Sequence, residues 1–509
     1  MRNTKLSLVS SFYYFFGLIF LLLFINIIFN NKIYTFNTLY ILLHITGWLF
    51  LTSIAYKVIN HTEGFWVKNE IKIAPLWILT IFSLQLYCGY LLAVTTSWDT
   101  EAVFRGAINL IEQGHLANHT DYFHVFPHNL GVVSALQLLF TIFSAEKIQD
   151  FYLIATIYNA LSITTGLGFV YLICREHQGV KTAFLALCLG TCCIPLYFYT
   201  PIFYSDTLSL PFVAISYYLY LQIQKSQTLK QKVLIAALFA LMCAAGTLIK
   251  FTVLIVAIAI LIDLTLKAKL KKNLLVISIA AACIYILLSC FNYYRENYLL
   301  DKNLSEQKEV PHTHWVMMGL SGNGAYNGSD YGYTHSFPTI EARTQATIDR
   351  IHDRLQEYGF DGYMEFLHRK QQVSFGSGIY GVNEMIDDGP LRPNALHQVA
   401  LDSGKYYEIF RHLAQGFHIF LFLLIALSAL YDAATKTHSA LSKLTLRLSI
   451  TGIFIFLALW EANSRYILNF APLFIACAAL GFTELYRVAS VIKNALSEHI
   501  QESRETAAT

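Results

Sequence analysis

Asp99 and Glu101 stand two apart in Ser97-Trp98-Asp99-Thr100-Glu101, directly after a long apolar run from Ile73 to Thr96, and Arg105 follows a turn later. A carboxylate at the edge of a membrane core is partly desolvated, which raises its proton affinity toward the range a general base needs. The plainer reading is an acid that ends a helix in the headgroup layer. Asp206, in Tyr204-Ser205-Asp206, opens a later apolar run and suits either a helix cap or a second acid. Lys250 lies between two apolar halves, where a lysine is costly; it either snorkels to the surface or holds an anion. Glu461 and Arg465 are four apart in a short turn between two apolar runs. They either pair with each other or turn the planar guanidinium toward a phosphate.

Two further stretches mix rings with polar groups. Tyr122, Phe123, His124, Phe126, His128 and Asn129 close the loop that begins at Asp99, and His312, His314 and Trp315 sit together further on. An aromatic belt at a membrane interface has this composition. So does a sugar-binding surface, where ring faces meet C–H groups and polar side chains bond hydroxyls. Two histidines at i and i+2 without further ligands are a poor metal signal. The sequence calls for no cofactor and leaves a divalent metal open.

Apolar elements must position these residues. Of the 509 residues, 55% are hydrophobic and only 14% charged, against about 25% charged in soluble domains; the mean hydropathy is +0.48. The apolar residues fall in runs near the length that crosses a bilayer. Twelve spans are expected, at residues 8–30, 37–57, 73–96, 150–173, 182–200, 207–224, 232–249, 251–266, 273–291, 412–431, 448–460 and 466–486. The first reads as an uncleaved span. Loops rich in Lys and Arg, such as 175–181, 225–232 and 267–272, are expected on the cytoplasmic side. That places both termini inside, and Asp99, Asp206, residues 292–411 and Arg465 outside. Residues 131–144 are apolar but short, and are expected to lie as a juxtamembrane helix on the outer face.

The chain divides into 1–72, two spans and a cytoplasmic loop; 73–291, a membrane module with the outer loop 97–131; 292–411, an outer loop; and 412–509, the last spans and a cytoplasmic tail. Within the long loop, helical spacing of Ile348, Ile351, Leu355 and Tyr358 suggests a helix that Thr339 caps and Gly359 stops, with a second over 362–375. The loop is expected to pack over the membrane part as a lid. The nine cysteines lie in or beside apolar runs, as small core residues do. The net charge of +3 carries no sign of a nucleic-acid footprint.

In order and in expected sidedness these motifs resemble the GT-C superfamily of polytopic glycosyltransferases. The closer likeness is to glycosyltransferase family 39: protein O-mannosyltransferase-like and aminoarabinose-transferase-like enzymes and their Gram-positive relatives. The likeness covers residues 73 to 486. It rests on Trp98 to Glu101, Tyr122 to Gly131, Tyr204 to Asp206, Gly246 to Lys250, and Glu461 to Tyr466 followed by Pro472. Residues 301–410, with His312 to Leu320 and Phe375 to Gly381, resemble the outer loop of Gram-positive members.

The resemblance implies an all-α polytopic fold of about twelve transmembrane helices with juxtamembrane helices. It also implies a polyprenyl-phosphate-linked sugar donor, a glycan or protein acceptor, and catalysis at the extracytoplasmic face of the cell membrane. Asp99 would be the base, Asp206 a second acid, and Lys250 or Arg465 a phosphate partner. Glu101 joins the acids, and Arg105, Tyr122, His124, His128, Asn129, His312, Trp315 and Glu461 complete the candidate substrate-binding set. The chain departs from the family pattern in two ways: its acids are split as Asp-x-Glu instead of adjacent, and two spans precede them where one is usual. The rival reading is a transporter or flippase of a lipid-linked saccharide. A sugar polymerase or ligase using a lipid diphosphate is a third.

Overall fold

In lipid, a backbone that cannot hydrogen-bond to water must satisfy itself, and long apolar runs do so as helices. The computed structural model describes residues 2–116, 120–267, 269–387, 389–436 and 441–508. The N-terminal spans are α1 (Arg2–Phe29), α2 (Thr38–His61) and α3 (Glu63–Leu91). Next come α4 (Trp98–Glu112), α5 (Thr120–Val125), α6 (Leu130–Ala145), α7 (Phe151–Gln178), α8 (Val180–Thr191), α9 (Ile194–Phe198), α10 (Ser205–Leu208) and α11 (Leu210–Lys225). The central region closes with α12 (Leu229–Ile249), α13 (Leu254–Leu266) and α14 (Leu270–Tyr294).

After α14 the chain runs through α15 (Lys302–Lys308), α16 (His312–Met318), α17 (Gly328–His335), α18 (Ile340–Phe375), α19 (Val382–Ile386) and α20 (His397–Ala400). It returns to apolar helices in α21 (Tyr407–Thr435), α22 (Leu444–Leu459) and α23 (Ala471–Ala508). Nine helical segments among the described residues are long and apolar enough to cross a membrane, and three shorter apolar ones accompany them. The fold is all-α and polytopic.

The expected spans are helical, with breaks that hydropathy does not reveal. The run at 182–200 is split between α8 and α9, ahead of Pro195. Lys250 is extended (φ −151°, ψ 118°), and the 3-10 turn Phe251–Val253 follows before α13 begins. Residues 127–145 are long enough to span, yet both ends of α6 lie at the same end of the bundle. Asn129, just before α6, bonds Tyr122 and Tyr204, while Phe140 meets Phe151 at the start of α7. That start of α7 is also at the Asp99 end, since Tyr152 OH takes the Val94 N–H and Asn159 Nδ2 donates to the carbonyls of Tyr199, Thr200 and Ile202. The helix therefore lies along α4 near one end of the bundle.

Gly131, near the start of α6, is pressed against α12: a Cβ there would come within 1.7 Å of the Leu248 carbonyl oxygen. Backbone cannot yield as a flexible side chain does. Gly131→Ala is expected to cost about 2–3 kcal/mol, read as a lower melting temperature in detergent.

At the far end, a buried ionic network joins α21, α22 and α23. Asp432 takes Lys443 at 2.6 Å and Arg447 at 2.7 Å, and Lys443 also reaches Glu484 at 2.5 Å. Buried charges of this kind persist because each has an opposite partner.

The polar segment 292–411 is helical as well. Thr339 Oγ1 accepts from Ala342 N at 3.2 Å, and Gly359 interrupts α18 at φ +56°, so the cap and the stop fall at the expected residues. Arg354 makes a two-pronged pair with Asp330 at 2.6 and 3.0 Å. The segment is tied to the membrane part by Gln372 to Asn26 (2.8 Å), Val310 N to the Val125 carbonyl (3.2 Å) and Leu391 N to the Ala93 carbonyl (2.8 Å).

His314 is fully buried, its Nδ1 2.6 Å from Thr334 Oγ1, and burial pushes its pKa down to about 4. A folded pKa below the unfolded value means that the neutral ring's contribution is complete above about pH 6.5 and fades toward pH 4. The loss reaches about 2 kcal/mol at pH 5. The melting temperature is expected to fall between pH 7 and 5, and to fall less steeply in His314→Gln.

Candidate active site

Asp99 lies in the first turn of α4, after Ser97 in an extended conformation and Trp98 at φ +47°. A bulky residue in the left-handed region is unusual and costs strain, which functional sites tend to hold. Asp99 Oδ1 accepts the Tyr122 hydroxyl at 2.7 Å, and the Tyr204 hydroxyl is 3.3 Å from Oδ2. Asn129 ties the two tyrosines together: its Nδ2 donates to Tyr122 OH at 2.6 Å, and its Oδ1 lies 2.9 Å from Tyr204 OH. Burial and the nearby Asp99 charge push the Tyr122 pKa well up, so the phenol stays protonated and donates. The Asp99 side chain is still 39% exposed.

The second half of the site comes from three chain breaks. Asp206 sits in the short α10, Lys250 in the break after α12, and Arg465 in the 3-10 turn Ser464–Phe470, where Asn463 Oδ1 accepts the Arg465 N–H at 3.0 Å. Ends of helices and short turns can aim a side chain inward where a continuous helix would commit it to one face. Lys250 Nζ is bonded to Asp206 Oδ1. Arg465 stands between two acids, its Nε 3.8 Å from Asp206 Oδ2 and its Nη2 3.8 Å from Asp99 Oδ2. Both cations also face aromatic rings: Lys250 lies 5.0 Å from the Tyr466 ring centroid, and Arg465 5.6 Å from those of Tyr204 and Tyr466.

The charges therefore alternate along Lys250, Asp206, Arg465 and Asp99, with no net charge. Arg465 Nε is buried and has no hydrogen-bond partner. A guanidinium held loosely between two carboxylates can turn to a stronger anion at little cost. Glu461 is buried beside this chain; burial raises its pKa to about 7, against the pull of Arg465.

The structure thus brings together Asp99, Asp206, Tyr122, Asn129, Lys250, Glu461 and Arg465. The four-apart pairing of Glu461 with Arg465 is not formed, because Arg465 turns to Asp99 and Asp206 instead. Three candidates lie outside the cluster. Glu101, two positions after Asp99, faces the other way on α4, where it takes the Thr96 hydroxyl and Arg105 Nε at 2.8 Å. Arg105 is spent in that exposed pair. His124 points to the 292–411 segment, its Nδ1 2.9 Å from Ser305 Oγ.

His128, His312 and Trp315 sit in an adjoining aromatic group. The His128 ring is 6.0 Å from that of Trp315, and the exposed His312 is 6.2 Å from Trp460. Tyr204, Tyr466 and Trp460 also line this region without having stood out singly, although Tyr466 and Trp460 adjoin Arg465 and Glu461 in the chain and Tyr204 is two residues before Asp206. Among the described residues, no group of three or more His, Cys, Asp or Glu could hold a metal ion.

Helices that cross a membrane, with a charged cluster buried at one end, make this a multi-pass integral membrane protein. The chain belongs to the family described as conserved hypothetical integral membrane protein, which it matches over residues 1–485. No curated protein matches it. Among solved structures it is similar to the archaeal oligosaccharyltransferase AglB from Archaeoglobus fulgidus, determined in complex with an inhibitory peptide and a dolichol-phosphate. The identity is 11% and the TM-score 0.43, over 82% of this chain and 52% of that one. The chain spans about half the length of that protein.

Proposed function

We propose that the protein is a GT-C-type glycosyltransferase that moves a sugar from a polyprenyl-phosphate-linked donor to an acceptor hydroxyl at the extracytoplasmic face of the membrane. The observation that carries this reading is the meeting of a partly exposed carboxylate, Asp99, with a loosely held guanidinium, Arg465, 3.8 Å away. The acceptor oxygen attacks the anomeric carbon while Asp99 takes its proton. The bond from that carbon to the phosphate oxygen breaks, and the polyprenyl phosphate leaves with the electron pair and one more negative charge. Arg465 stands where that charge develops.

Lys250 is bound to Asp206 and serves to hold Arg465's second acid in place. Tyr122, Tyr204 and Asn129 fix the Asp99 carboxylate. The 292–411 segment covers this end and excludes water. The acceptor is a glycan or a protein hydroxyl.

The phosphate contact has its own test. Polyprenyl phosphate is expected to raise the melting temperature of the purified wild-type protein, by mass action on the folded state. Arg465→Gln is expected to abolish the shift. Equal stabilisation of both proteins would remove Arg465 from the phosphate site.

A further inference from the structure

Trp315 and Trp460 come from parts of the chain far apart in sequence, one in α16 of the outer segment, the other just after α22. Their ring planes are within 21° of parallel, with centroids 6.3 Å apart. That separation belongs to an offset arrangement, which leaves part of each face uncovered, and both side chains are partly exposed. Phe456 extends the row at 5.2 Å and 22° from Trp460. The row borders the charged site at its two tryptophans. His128, edge-on to Trp315, lies within the field of Asp99, and Glu461, next to Trp460 in the chain, lies within the fields of Asp99 and Arg465.

One buried cation sets this pair of tryptophans. Lys370 of α18 is fully buried, and its Nζ donates to the Gly319 carbonyl at 2.6 Å and the Ala458 carbonyl at 3.1 Å. Gly319 is the residue that ends α16, and Ala458 is in the last turn of α22. The ammonium therefore caps two helix C-termini at once, where carbonyls lack partners and the dipole is negative. Trp315 lies one turn before the first of these carbonyls, and Trp460 two residues after the second. The fit around them is close. A Cβ on Gly319 would lie 2.7 Å from the Trp460 carbonyl, one on Gly324 would meet the Lys370 side chain at 2.8 Å, and Ala462 N donates to the Gly324 carbonyl at 2.7 Å. A methionine, of similar length, offers no donor to either carbonyl.

We propose that Trp315 and Trp460 form a stacking platform for the sugar ring of the lipid-phosphate-linked substrate, and that Lys370 is the positioning residue that holds the two rings in register. This rests on the reading that the Asp99–Arg465 cluster receives a sugar phosphate. The C–H face of the ring lies on the indoles, while its anomeric carbon stays beside Asp99. The phosphate contributes affinity through Arg465, and the platform contributes the preference for a sugar-bearing ligand.

The test is calorimetric titration of the full-length purified protein with citronellyl phosphate and with citronellyl-phosphate glucose, galactose and mannose. Wild type is expected to bind the best hexose compound about tenfold tighter than citronellyl phosphate itself. Trp460→Leu, Lys370→Met and Gly319→Ala should each bring that ratio near one while leaving the affinity for citronellyl phosphate within about twofold, which a general loss of folding would not do. Gly319→Ala keeps the lysine and disturbs the register alone, so it decides the matter if Lys370→Met does not fold. Equal affinity of wild type for all four compounds overturns the platform and leaves the phosphate reading standing. An undiminished ratio in both Lys370→Met and Gly319→Ala overturns the role of Lys370. Binding of none of the compounds contradicts the sugar-phosphate reading itself and removes this inference with it.

Discussion

Asp99→Asn is expected to lower the rate of sugar transfer by about a thousandfold while leaving donor affinity within a few-fold of wild type. The magnitude is that of a lost general base. The substitution keeps the shape and the two oxygen-bonding tyrosines; Tyr122 at 2.7 Å can still donate to the amide oxygen. What disappears is the site that accepts the acceptor's proton. Asparagine also removes the negative charge 3.8 Å from Arg465, so the guanidinium is freer to meet the donor phosphate. A single-turnover experiment with saturating donor separates the two effects. Slow turnover at normal or improved affinity is expected, whereas equal loss of affinity and rate would make Asp99 a binding group.

The second large effect is on stability. Asp206 is buried between Lys250 and Arg465, and its removal leaves two cations facing each other with one acid fewer. Breaking a buried pair from one side costs about 3–5 kcal/mol, so Asp206→Asn is expected to fold poorly and to melt far below wild type. The penalty lies in the unpaired charge, and removing that charge should return part of it. Asp206→Asn combined with Lys250→Met is expected to melt above Asp206→Asn alone, with a coupling of at least about 1 kcal/mol between the two sites. Strictly additive losses in this cycle, read from melting curves in detergent, would mean that the pair contributes no net interaction.

Much of this site was legible because charge is rare in the apolar parts of the chain. Asp206, Lys250 and Arg465 each stand out against a hydrophobic run, and the cost of burying them makes a partner necessary. Their mutual geometry was not legible. It depends on the extended backbone at Lys250 and on the 3-10 turn at Arg465, and hydropathy reads straight through both. Glu101 stands apart from the cluster for a different reason. Two residues along a helix turn a side chain about 200° away, so Asp99 and Glu101 cannot face one site once the segment is helical from Trp98.

Tyr204 and Tyr466 stood inside the stretches that carry the family likeness but gave no signal of their own, because in so aromatic a chain one more tyrosine beside a membrane is none. Lys370 gave none either. In His368-Arg369-Lys370-Gln371-Gln372 it looks like any solvated helix face, and only the packing of α18 against the ends of α16 and α22 buries it. Within the 292–411 segment, by contrast, Thr339 and Gly359 did their expected work, because a cap and a positive-φ stop are local features.

The most direct measurement is transfer of radiolabelled sugar from a panel of polyprenyl-phosphate sugars, with purified wild-type protein, envelope acceptors and Asp99→Asn alongside. One donor is expected to release free polyprenyl phosphate in step with labelling of the acceptor, and the release is expected to disappear in Asp99→Asn. Tight binding of a donor, or its movement across a vesicle membrane, with the sugar–phosphate bond intact would contradict a transferase role and make the protein a carrier of lipid-linked saccharide.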